Sequence, residues 1–163
     1  MPTGPKWLDA REDRAWRTFV HAHHQLRVRL ERHLIQDSGL SEADYEVLAV
    51  LSECPGERAS ARELCDLLSW EKSRLSHQVR GMQRRGLVTR EPNPDDARSC
   101  LVLLLPAGYR AIEGAAPRHV GNVRMYFIDL LTPGELDTLV AVHERILRRL
   151  ADEPARDDGT AGG

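Results

Sequence analysis

Apolar residues near the start of the chain recur with a helical period. Leu8, Ala15, Phe19, Ala22, Leu26, Leu30 and Leu34 stand mostly three or four apart in a stretch without Pro or Gly. That spacing predicts one long amphipathic helix from Leu8 to Ile35, broken by Asp37, Ser38 and Gly39. A second helix opens at Ser41, with Asp44 in the capping-box position, carries Tyr45, Val47, Leu48 and Leu51, and stops at Pro55 and Gly56. Two short helices follow, Ser60 to Leu67 and Glu71 to Arg85, separated by a break around Ser69 and closed by Gly86. Helices joined this tightly form a helix-turn-helix candidate. The period then changes. Leu87 to Arg90 and Ser99 to Leu103 are strand-like and flank the turn-forming run Pro92 to Ala97, which predicts a two-stranded hairpin, or wing. Ala107 to Leu131 predicts a helix interrupted or bent at Pro117. Thr132, Pro133 and Glu135 then open a last helix, with Leu136, Leu139, Val140, His143, Ile146, Leu147 and Leu150 along one side.

With 163 residues, 41% of them hydrophobic, the chain is large enough for one domain with its own core and needs no disulfide framework or structural metal. Apolar runs such as Leu101 to Leu105 fall short of the roughly 20 residues of a membrane span. Met1 to Lys6 has none of the features of an export signal, so a cytoplasmic address is expected. Residues 1–6 and 153–163 are poor in core formers and are expected to be disordered tails. Cys54, Cys65 and Cys100 lie far apart, as reduced thiols do, and build no zinc finger.

Charge changes the picture more. The formal total, 23 minus 25, is −2, yet Glu71 to Arg90 holds six cations (Lys72, Arg74, Arg80, Arg84, Arg85, Arg90) against one acid. Leu34 to Glu57 holds six acids and no Lys or Arg. A local cationic stretch of this kind is what phosphate binding requires. On the helix from Glu71 to Arg85, Leu75, Val79 and Met82 form a core-facing stripe with Leu68 and Trp70, while Ser73, Ser76, His77, Arg80 and Arg84 share the other face. A basic face on a surface helix is often only a solvated face. The adjoining short helix and wing favour nucleic acid: Arg and Lys bond guanine edges or phosphates, and Ser and His fill smaller gaps. Arg98, at the far side of the wing loop, suits a narrow minor groove. Asp95 and Asp96 would be repelled by phosphate and are expected to hold the loop and orient Arg98.

The runs Arg62 to Leu68, Lys72 to Val79, Arg84-Arg85-Gly86-Leu87-Val88 and the tetrad Asp96-Ala97-Arg98-Ser99 resemble the MarR-type (multiple antibiotic resistance regulator) winged helix-turn-helix family. The order of elements agrees over Leu8 to Ala151. The resemblance implies a mainly α fold: a winged helix-turn-helix lobe with a two-stranded β-wing over 37–105, an N-terminal dimerisation helix over 7–36 and C-terminal dimerisation helices over 106–152. It also implies a homodimeric regulator of transcription, usually a repressor, binding double-stranded DNA without a cofactor and relieved by a small-molecule effector. The DNA-facing set is then Arg62, Lys72, Ser73, Arg74, Ser76, His77, Arg80, Arg84, Arg98 and Ser99, with Asp96 orienting the wing. Trp70 and Glu71 depart from the small or polar residues usual at the start of the recognition helix, so the DNA sequence read is expected to be unusual. Glu71 either accepts from cytosine or, preferably, pairs with a neighbouring Arg. Dimerisation has a motive of its own, since the terminal helices carry apolar stripes that a small lobe cannot bury alone. Two recognition helices about 34 Å apart would read an inverted repeat.

Other features are weighed more briefly. His21 and His24 share a helix face and imidazole suits zinc, but no thiol or carboxylate cluster stands at ligand spacing, and ordinary histidines are preferred. A thiol sensor is a variant reading; inert cysteines are preferred. Trp7, Trp16, Tyr109, Tyr126 and Phe127 either line an effector cleft or belong to the core. Enzyme signatures are missing: no nucleophile elbow, phosphate-binding glycine loop or His-Glu-x-x-His. A protein-binding helical adaptor would have no need of the Asp96 to Ser99 tetrad.

Overall fold

Four of the helix starts are written into the chain by reciprocal caps, and the computed structural model places them so. It describes residues 6–94 and 96–152, with Ala97 and Arg98 described by their backbone; the expectations for residues 1–5, Asp95 and 153–163 lie outside the described residues. Helix α1 (Ala10–Ser38) begins on Asp9, which accepts from the Glu12 N–H at 2.8 Å while Glu12 accepts from the Asp9 N–H at 2.9 Å. It ends where Gly39 takes φ 70 and donates its N–H to the Ile35 carbonyl at 2.9 Å, a conformation that favours glycine. Ser41 and Asp44 form the same reciprocal box for α2 (Glu42–Glu53), as foreseen. Ser60 and Glu63 do so for α3 (Ala61–Leu68). Each such cap stabilises its helix by about 1 kcal/mol.

A three-residue strand, β1 (Arg58–Ser60), precedes α3, and a recognition-helix candidate, α4 (Lys72–Arg84), follows it. Strands β2 (Val88–Asn93) and β3 (Asp96–Leu104) make the hairpin. β1 pairs antiparallel with β3 through Arg58↔Leu103, Ala59↔Val102 and Ser60↔Leu101, giving one sheet of order β1-β3-β2. The expected two-stranded wing, β2 with β3, is present, and β1 adds a third strand that the sequence pattern did not predict. β1 is too short to show alternation and owes its conformation to β3. The hairpin also runs further than expected, pairing Asn93 with Asp96 after an irregularity at Pro92. Proline is tolerated there because β2 is an edge strand, with one side unpaired.

The core lies among α2, α3, α4 and the sheet: Val47, Leu48, Leu51, Leu64, Leu75, Val79, Met82, Val88 and Val102 are essentially inaccessible. Each buried Leu, Met or Val contributes about 1.5–3 kcal/mol relative to exposure. Helix α5 (Pro106–Tyr126) adds Ile112 and Ala115 to that core. Its Gly108 is required by proximity, since a Cβ there would lie 2.2 Å from the Leu87 carbonyl oxygen. α5 continues through Pro117, which sits on its exposed side, and stops at Tyr126, short of the predicted Leu131; a 3₁₀ turn, Ile128–Leu130, takes the remainder.

The chain divides into two compact units, one ending at Val123 and the other beginning at Arg124. The second contains α6 (Pro133–Ala151), capped by Thr132 and Glu135 as expected, with no buried residue. Within the first unit, α1 buries only Leu34. The apolar stripes of both helices stand in solvent: Trp16 is 58% exposed and Leu147 63%. Among the described residues no helix is long and apolar enough to cross a membrane.

Candidate nucleic-acid interface

The turn that sets α4 against α3 is made by Ser69, in the left-handed region at φ 53, and by the Trp70 N–H donating to the Cys65 carbonyl at 2.9 Å. Leu75, Val79 and Met82 on α4, together with Trp70, then face the core, as their spacing predicts, with Leu68 half-buried beside them. Lys72, Ser73, Arg74, His77, Arg80 and Arg84 are exposed; Ser76 is half-buried. Arg62, on α3, is exposed too. This face combines donors at helical spacing with a buried apolar backing on the opposite side of the same helix.

Trp70 has two roles. Its ring is buried in the core, and the Arg74 guanidinium lies 4.0 Å above the ring centroid. Cation–π contact of this kind contributes about 0.5–1 kcal/mol at an exposed site and holds the guanidinium at the start of α4. The departure at Trp70 thus has a packing reason. Glu71 does not form the pair preferred for it: it is exposed, makes no side-chain cap bond, and has no ion-pair partner among the described residues.

Not all of the basic stretch faces outward. Arg85 is paired with Asp44 of α2, and Arg90 donates from Nη2 to the Ser76 carbonyl at 3.3 Å while its Nε is buried without a partner. Lys72, Arg74, Arg80 and Arg84 remain as the exposed cations of α4. The sequence pattern marks Asp44 only as a cap. The structure gives it a second function: its Oδ1 also accepts from Gln78 Nε2 at 2.6 Å, and the residue is 2% exposed. Burial pushes its carboxyl upward, but the bonds from Arg85 and from the Ser41 N–H and hydroxyl outweigh burial and leave it below the usual carboxylate range. Its partners Gln78 and Arg85 stand far along the chain, so no local pattern points to them.

In the wing, Asn93 Nδ2 donates to Ser99 Oγ at 2.9 Å, and Ser99 Oγ donates to the Asp96 carbonyl at 3.2 Å. Ser99, half-buried, thus closes the hairpin with its hydroxyl, and Asn93 was not foreseen as its partner. Asp96 is exposed. Arg98 belongs to β3, with its side chain outside the described residues.

Cys54, Cys65 and Cys100 are free and half-buried. Burial pushes the Cys54 and Cys65 thiols up, helped by Glu63 and Glu53 at the first and by Asp66 and Glu71 at the second, which disfavours thiolate chemistry. Among the described residues no three His, Cys, Asp or Glu side chains gather to hold a metal. Trp7 and Trp16 are exposed rather than part of a core. Instead Tyr45 packs against His119 of α5, ring centroids 4.3 Å apart, a contact the aromatic pattern did not reveal.

Comparison with known proteins follows the same outline. Residues 38–99 match the sequence model of the MarR family. The crystal structure of AbsC, a MarR family transcriptional regulator from Streptomyces coelicolor, is 37% identical, with 91% of this chain and 100% of that one covered and a TM-score of 0.88. Sco3205, a MarR family transcriptional regulator from the same organism solved in complex with DNA, is 33% identical over 96% of this chain and 97% of that one, also with a TM-score of 0.88. The HTH-type transcriptional repressor YetL of Bacillus subtilis (strain 168) is 26% identical over 91 residues, 56% of this chain and 54% of that protein.

Proposed function

The chain belongs to the MarR family of transcriptional regulators, which are not enzymes, and from that premise we propose that it is a cytoplasmic homodimer repressing transcription at a pseudo-palindromic operator. α4 enters the major groove with Lys72, Ser73, Arg74, Ser76, His77, Arg80 and Arg84; Arg62 and Ser99 flank it, Arg98 enters the minor groove, and Asp96 orients the wing. A small-molecule effector releases the DNA. The observation that carries this reading is the exposed donor face of α4 on a fully buried apolar backing. Support for DNA as the partner comes from Sco3205, solved with DNA, and support for repression from YetL, named a repressor. The bare apolar stripes of α1 and α6 support pairing of two copies.

A gel shift on the DNA upstream of the protein's own coding region tests it. Retardation is expected, weakening steeply between about 50 and 200 mM salt as counterions released from phosphate compete. No retardation at low salt, or a flat response, would remove DNA as the partner.

A further inference from the structure

Asp44 is the charged residue among the buried set of described residues, although its capping task does not call for burial. Glu63 and Glu135 perform the same reciprocal cap from exposed positions in α3 and α6. For the cap Asp44 uses Oδ2, which accepts from the Ser41 N–H at 2.9 Å; its Oδ1 reaches the recognition helix. There it accepts from Gln78 Nε2 at 2.6 Å and from the Arg85 guanidinium. Gln78 lies within α4 and Arg85 is its C-terminal cap residue, two turns further on, so both fall on nearly the same face. An apolar stripe alone tolerates small rotations, because packing has little directional preference. Hydrogen bonds to one fixed carboxylate from two points on a helix two turns apart do not. Arginine tips lie farther from the helix axis than the backbone does, so a slight turn of α4 moves them more than it disturbs the core.

We propose that Asp44, through Gln78 and Arg85, is a positioning residue for base discrimination: it fixes the rotation at which α4 presents His77, Arg80 and Arg84 to DNA. This rests on the DNA-binding reading above. An open groove of about 380 Å³, lined by Asp44, His77, Gln78 and Arg84, lies beside the contact, so the tether sits next to the side chains it would position.

The experiment takes the duplex that wild-type protein selects from a randomised pool and measures its affinity relative to poly(dI-dC), for wild type, Asp44→Asn and Gln78→Met, well below their melting temperatures. Both variants are expected to lose about tenfold of the specific-to-nonspecific ratio, the scale of one lost base contact. Gln78→Met changes no charge and should bind poly(dI-dC) as wild type does; it also keeps the test open should Asp44→Asn not fold. A purely architectural role would lower the melting temperature and leave the ratio alone, and that result in Gln78→Met overturns the proposal while sparing DNA binding. If wild-type protein selects no preferred duplex, the DNA-binding reading fails and this one falls with it.

Discussion

Helices α4 and α1 carry apolar stripes of the same period, yet their fates differ. On α4 the stripe of Leu75, Val79 and Met82 is sealed inside the lobe; on α1 only Leu34 is sealed, and Trp16, Phe19, Val20 and Val28 meet solvent. Periodicity therefore tells which face of a helix is sticky but not what covers it. For α4 the cover is the same chain, and for α1 and, separately, α6 the proposed cover is a second copy. Mutation separates the two cases. Leu75→Ala should cost about 2–5 kcal/mol of unfolding free energy, because a filled site becomes a cavity. Leu147→Ala in α6 and Phe19→Ala in α1 should instead act through association, lowering the melting temperature most in dilute protein. Thermal unfolding across a concentration series checks this, and concentration-independent melting of wild type would break the contrast.

The same distinction governs how much was legible. Caps are local, so Ser41 with Asp44 and Thr132 with Glu135 could be read from a few consecutive residues, and both formed. The buried stripe of α4 was equally readable. β1 was not, because three residues show no alternation and the strand exists only through its pairing with β3. Glu71 was misread because an Arg nearby in sequence was already engaged elsewhere: Arg74 stacks on Trp70 and Arg85 bonds Asp44. At the candidate interface the outward donors of α4 could be assigned from helical spacing. The inward duties of Arg85, Arg90 and Ser99 could not, since their partners come from other elements or from the far strand of the hairpin.

A contact with DNA is a smaller effect than a core cavity, and the outward face of α4 should respond differently from the wing. Arg74→Ala or His77→Ala should cost about 1–3 kcal/mol on the preferred duplex and relax base preference at one position, if the side chain reads a base edge. Arg98→Ala should weaken binding chiefly where flanking A·T runs narrow the minor groove. Titration of duplexes differing only in those flanks separates the two patterns, and equal losses on all flanks would take Arg98 out of the groove.

The smallest expected effect concerns pH and turns on a covered group. His119 of α5 sits against Tyr45 with its Nδ1 buried and unpartnered, and burial pushes its imidazole down from the usual 6.5 despite the opposing pull of Glu42. Burial there favours the neutral ring over the charged one. The folded chain thus binds a proton at His119 less readily than the unfolded chain does. The stability this confers is present above the ordinary histidine pKa and is lost as pH falls toward the lowered value in the folded state. Urea unfolding between pH 7.5 and 5 should therefore show a modest decline in wild type that is flatter in His119→Phe, which keeps the ring against Tyr45 but takes up no proton. An identical slope in both proteins would mean that the charged ring finds solvent without disturbing the fold, and would place the pH response elsewhere in the chain.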